Sequence, residues 1–218
     1  MHRTGPPEDA AAPRIAACVA SWSLLAFLAA AVALHLRRSD LDPVASQMSL
    51  YLIGAWGPVL QLAYVALGVG MVALAWALRA THGEVARSSA ALLLLALAGA
   101  SLATTAYAWM DLPGVDRSFE GLLHGVSAQG AFLFATSGMV VQALNFRRDP
   151  HWQRTSRWAL PWALACFAAV WVLALWRDAP RGLAQKTVIT LVLAWMACVL
   201  CVLWNRLRGA ARFTRPAP

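Results

Sequence analysis

The chain has 218 residues, 60% of them hydrophobic and only 13% charged, so it carries more apolar surface than a soluble domain of this size can cover with polar groups. Its formal charge of +8 does not read as a nucleic-acid footprint, because the basic residues sit in short clusters between apolar runs rather than along one helical face. Composition excludes a soluble module and a nucleic-acid partner, and it points to lipid as the solvent.

Residues 1–13 are rich in Pro, Ala and charge and are expected to form a disordered cytoplasmic tail. Six apolar segments follow, at residues 14–36, 50–78, 88–110, 121–146, 157–176 and 184–207. Each holds about 20 or more residues, which at about 1.5 Å per residue spans a hydrocarbon core about 30 Å thick. The first run is longer than a signal-peptide core and stops at Arg37 and Arg38, so a retained helix is expected. The fold expected is all-α, a polytopic integral membrane bundle of six transmembrane helices over residues 14–208, with 209–218 as a second cytoplasmic tail. No internal repeat and no separate soluble domain is evident.

Six crossings put both termini on one side. Of the 18 Lys and Arg residues, six (Arg37, Arg38, Arg117, Arg177, Arg181 and Lys186) fall in the loops of one side and the other twelve on the side of the termini, which should be cytoplasmic. Arg147, Arg148, Arg154 and Arg157 are expected to meet anionic lipid headgroups there. The outer loops are short, so successive helices should be antiparallel neighbours.

Polar and small residues within the membrane are patterned. Ser101, Thr104, Ala108 and Asp111 make a stripe on helix three, and Gly54, Pro58, Gln61 and Gly68 one on helix two, with Gln61 near mid-depth; such faces belong against other helices. Pro58 and Pro161 are expected to bend their helices. The Cys198 and Cys201 pair lacks a nearby basic group to lower a thiol pKa and reads as small-residue helix packing. His82 and His151, in inner loops among charged residues, are expected to be solvated.

The topology brings one set of polar residues to the outer side: His35, Asp42 and Ser49 around the first outer loop, Asp111 after helix three, His124 about a turn into helix four, and Gln185 and Lys186 opening helix six. They are placed to meet in one outward-facing pocket. Three arrangements suit these residue types. Ser49 as nucleophile with His124 as base and Asp111 as orienting acid would form a hydrolase relay, although no G-x-S-x-G elbow surrounds Ser49, and a serine just before an apolar helix usually caps it. His35 and His124 with Asp42 or Asp111 would suit zinc with an open position for water, or the two histidines a haem, although no metal signature is present. No cofactor is assigned. The third arrangement is a purely structural network tying the outer helix ends together.

The stretch from His35 through Asp42, Pro43, Ser49 and Tyr51 to Gly54, then Asp111 after an aromatic-rich stretch, then His124 with Gly125, then Gly182, Leu183, Ala184, Gln185 and Lys186, resembles the successive signatures of a bacterial and archaeal membrane family called domain of unknown function 998. Two positions depart from it: Trp109 stands where a proline is usual, and Lys186 where arginine is, exchanging a bidentate fork for a point charge. The resemblance implies a six-helix protein of the bacterial inner membrane and no established reaction. Two functions stay open: an enzyme processing a lipid or small amphiphile, with Ser49, Asp111 and His124 catalytic and His35, Asp42, Gln185 and Lys186 binding, or a non-enzymatic component that binds a small ligand or partner protein. A coupled transporter is disfavoured by the lack of repeat symmetry.

Overall fold

The computed structural model describes residues 11–112, 114–176 and 178–213. Most of the predicted N-terminal tail and residues 214–218 lie outside that range. Six long α-helices account for nearly everything described: α1 (Ala11–Arg37), α2 (Gly57–Thr81), α3 (Ala90–Tyr107), α4 (Phe119–Arg148), α5 (Gln153–Leu175) and α6 (Arg181–Phe213). Two short 3-10 helices, Met48–Leu52 and Glu84–Ala86, sit in the first and second connections, and no strand occurs among the described residues. The helical ends extend past the expected limits, since α1 already begins at Ala11 and α6 continues to Phe213.

Five of the six helices, all except α4, are long and apolar enough to cross a membrane. Large side chains such as Trp22, Leu25, Leu62, Leu93 and Leu175 project outward unpaired, which is tolerable where the surroundings are lipid. The chain is a multi-pass integral membrane protein. Helix α4 is less apolar because it carries Ser127, Thr136, Gln142 and Asn145, all of them buried against neighbouring helices rather than exposed.

The helices pack in chain order, each against the next, and α1 closes the ring against α6 along its loosest seam. The antiparallel-neighbour expectation is met. Helices α2 and α3 approach most closely where Gly68 faces Gly99: a Cβ on either would run into the other's backbone, so the interface depends on two glycines meeting. Trp195 crosses from α6 to donate its indole N–H to the Ala159 carbonyl of α5 at 2.9 Å.

Several local expectations change. Residues 50–56 are not helix α2 but the 3-10 turn and its exit; α2 starts at Gly57 with Pro58 in its first turn, where a proline starts a helix instead of bending it. Gln61 therefore lies in the second turn of α2, near its N-terminal end, and not at mid-depth. Helix α3 stops at Tyr107, so Ala108 and Asp111 are off it, and its buried hydroxyl is that of Thr105, not the exposed Thr104. Pro161 does fall inside α5. Cys198 and Cys201 are exposed on the outside of α6 and pack between no helices.

Candidate functional site

At the end of the bundle where α3 joins α4 and α6 begins, a cavity of about 370 Å³ is lined by Gln47, Ser49, Asp111, His124, Gln129, Arg181 and Gln185 among others. Four of the seven residues expected from the sequence, Ser49, Asp111, His124 and Gln185, share it. His35 and Lys186 line a different cleft of about 320 Å³ between α1 and α6. Asp42 lines neither; it is exposed, and its carboxylate accepts the Val44 amide at 2.7 Å to close its own loop.

His124 is 5% exposed, and its Nδ1 lies 2.7 Å from the carbonyl oxygen of Ala108, the residue that caps α3. A carbonyl can only accept, so Nδ1 carries the hydrogen and Nε2 is left as the nitrogen available to a ligand or a proton. Breaking α3 at Ala108 is what presents that carbonyl. Behind the histidine, Ser127 and Thr105 share a hydrogen bond at 2.8 Å that joins α4 to α3.

Asp111 does not orient His124. Its carboxylate accepts the Ser118 hydroxyl at 2.6 Å and the Ser118 amide at 3.1 Å, while the same hydroxyl oxygen accepts the Gly121 amide at 2.9 Å and so caps α4. The Ser118 hydroxyl, then its amide, hold the Asp111 carboxyl below the usual carboxylate range. The relay Ser49–His124–Asp111 is thus not formed: a backbone carbonyl occupies the place of the acid. Ser49 is 5% exposed, lies within the 3-10 helix and caps no part of α2.

The loop between α1 and α2 is held from α6. Gly182 lies against the carbonyls of Val44 and Ser46 where a Cβ would collide, and Leu183 N–H donates to Val44 O at 2.8 Å. Gln185 accepts the Met48 amide at 2.8 Å, and Lys186 Nζ donates to Pro43 O at 2.7 Å while lying 5.1 Å from the Tyr51 ring centroid. Tyr51 stacks on His35 at 4.5 Å, and His35 Nδ1 bonds the Ala31 carbonyl. The run from Gly182 to Lys186 is thereby a device for docking that loop. Arg38 pairs with Asp40 at 2.8 Å.

His35 and His124 line different spaces, so they do not make a haem pair, and no group of three or more His, Cys, Asp or Glu side chains converges as a metal site among the described residues. A narrow apolar cavity of about 70 Å³ lies between the two spaces. It shares Ser49, Ala128, Phe132 and Gln185 with the polar cavity, and Phe27, Ile189 and Leu193 with the cleft between α1 and α6.

A family model described as protein of unknown function, DUF998, matches residues 22–202. The chain belongs to this family. All the signature residues from His35 to Lys186 fall inside the matched range. No curated protein and no solved structure matches the chain.

This DUF998 protein also holds a polar cluster that its sequence concealed. His82, expected to be solvated, is 3% exposed; its Nδ1 lies 3.1 Å from an Asp149 carboxylate oxygen and its Nε2 lies 2.8 Å from the Gln142 amide nitrogen. The amides of Gly83 and His151 complete the carboxylate's shell, and the His82 ring packs against Phe146 and Trp152. Arg206 of α6 lies over the Trp152 ring and donates to the His151 carbonyl. Every side-chain polar atom of His82 and Asp149 is satisfied internally, and the cluster joins the end of α2 to the α4–α5 turn. Arg181 and Gln129, which line the same cavity as His124, carry no signal in the sequence, being exposed polar residues with no distinguishing neighbours.

Proposed function

We propose that this protein crosses a bacterial inner membrane six times with both termini cytoplasmic, and that it binds a single-chain or lipid-like amphiphile in its outward-facing cavity. The headgroup lies against His124, Gln185 and Arg181, the first few methylenes of the chain pass through the narrow apolar cavity behind them, and the rest lies in the cleft between α1 and α6. The observation that carries this reading is the shared walls: Ser49, Ala128, Phe132 and Gln185 border polar and apolar spaces alike, and Phe27, Ile189 and Leu193 border the lipid-side cleft as well. A polar chamber backed by an apolar one suits a molecule with the same division. The cleft between α1 and α6 gives it a route from the bilayer.

Lipid mass spectrometry on the protein purified in mild detergent tests this. Wild type should retain a defined amphiphile that Ala128→Phe, which fills the junction of the two cavities, has lost while eluting as a folded protein. The same lipid complement in both would sink the reading.

A second reading, hydrolysis or acyl transfer, is favoured by one observation: Nδ1 of His124 is committed to Ala108, which makes Nε2 a general base in a cavity that also holds Ser49. Nε2 would take the proton as a hydroxyl oxygen attacks an ester or amide carbonyl, and return it to the leaving oxygen or nitrogen. Asp111 then serves the cavity by holding the start of α4. Without turnover of the retained amphiphile by wild type, or with equal turnover by His124→Asn, this second reading fails.

A further inference from the structure

We propose that the cleft where the last turn of α4 meets the first turns of α5 binds the phosphodiester of an acidic phospholipid headgroup. The cleft has a volume of about 420 Å³ and is lined by Arg147, Gln153, Ser156, Arg157, Leu160 and Pro161. It is remote from the outer cavity, at the opposite end of α4.

Its chemistry is divided in a way that fits such a lipid. Two guanidinium groups, which match phosphate oxygens with paired donors, stand at the rim, and both arginines are exposed. No carboxylate lines the cleft, and neither arginine is in an ion pair among the described residues. The acid nearest in sequence, Asp149, is turned inward and consumed by His82 and the amides of Gly83 and His151, so it does not neutralise them. The buried cluster thus leaves the cationic rim open. The other wall is Leu160 and Pro161, one turn further into α5, which offers apolar surface to the glycerol and upper acyl region.

Trp158 and Trp162, in edge contact at 6.0 Å on the same helix, place this level at the membrane interface, where indole rings settle. Free phosphate would use the rim alone and leave the apolar wall bare, so the geometry favours the lipid.

The test compares the full-length wild type with Arg147→Gln/Arg157→Gln and with a charge-matched control, Arg148→Gln/Arg154→Gln, whose side chains do not line the cleft. Each is reconstituted with equal phosphatidylglycerol and phosphatidylcholine, and the lipid that stays bound is measured by native mass spectrometry, with thermal unfolding to check that each variant is folded. Wild type and the control should enrich phosphatidylglycerol, and the cleft variant should lose about tenfold of that enrichment. Equal losses in both double variants would reduce the effect to diffuse charge and overturn the site, as would no loss in either. Inorganic phosphate is added alone in a further arm: if it protects wild type from heat as well as phosphatidylglycerol does, and the cleft variant loses both effects, an anion site remains but its assignment to lipid falls.

Discussion

His124 and His82 are both buried with Nδ1 engaged, and the difference in partner separates what each can do. His124 gives its hydrogen to a neutral carbonyl and keeps Nε2 free. In His124→Asn an amide nitrogen can still reach Ala108, whereas His124→Ala leaves that carbonyl bare and should cost about 1–3 kcal/mol, read as a lower unfolding midpoint in detergent. Both variants should lose the retained amphiphile. His82 has both nitrogens committed. Burial, partly offset by the Asp149 bond, pushes its pKa below the ordinary 6.5, so it is held neutral with Nδ1–H donating to the carboxylate and Nε2 accepting from Gln142. Burial alone would raise Asp149, but the bonds from His82, Gly83 and His151 outweigh it and hold its carboxyl below 3.8. An unfolded chain takes a proton on His82 below about pH 6.5 that the folded one resists. Stability should therefore be full above that pH, decline as pH falls towards the depressed pKa, and drop again below 3.8 as Asp149 protonates. Thermal melts between pH 8 and pH 5 should show the first decline in wild type and a flatter profile in His82→Gln. Asp149→Ala should cost about 2–3 kcal/mol by stranding His82 and two amides.

Among the elements, α2 and α3 depend on the Gly68–Gly99 contact, and Gly99→Leu should force them apart at a cost of about 1–3 kcal/mol, measured as faster loss of folded protein on heating in detergent. The stripe on helix two identified Gly68 from spacing alone. Its partner Gly99 was not legible, because nothing local to α3 says which helix it faces. The other stripe shows the reverse: Ser101 to Asp111 has helical spacing, but α3 yields at Ala108, whose carbonyl is taken by His124 and whose N–H returns to Thr104. The carbonyl that this break exposes is matched by a tertiary partner, His124, which the stripe's spacing could not announce. The start of α2 was legible in principle, since a proline next to a glycine marks a first turn as readily as a bend. At α6, Gly182→Val should unseat the loop between α1 and α2, and limited proteolysis should then cut near Val44 faster than in wild type.

On the scale of the whole molecule, the arrangement turns on α4, the helix too polar to qualify as a span on hydropathy. Its buried Ser127, Thr136, Gln142 and Asn145 are sheltered by neighbouring helices, which is the shelter that the proposed sixth crossing requires. In a cysteine-free background, single cysteines at Ala45, Val115 and Asp178 should react with an impermeant maleimide from outside, and those at Glu84 and His151 only after permeabilisation. If α4 does not cross, His151 and Asp178 will exchange behaviour.

Apolar length and the distribution of arginine are properties of the chain itself, so the sequence determined the membrane habitat, the number of long helices, their order and the family. It also brought Ser49, Asp111, His124 and Gln185 to one end, since the loops leave helix ends few other places to go. Only the tertiary structure decided their partners. Whether His124 meets a carboxylate or a carbonyl, whether Asp111 serves a histidine or a serine cap, and whether His82 is wet or buried depend on helix rotation and on where a helix breaks. Those are fixed by contacts between residues far apart in sequence, which no local pattern encodes.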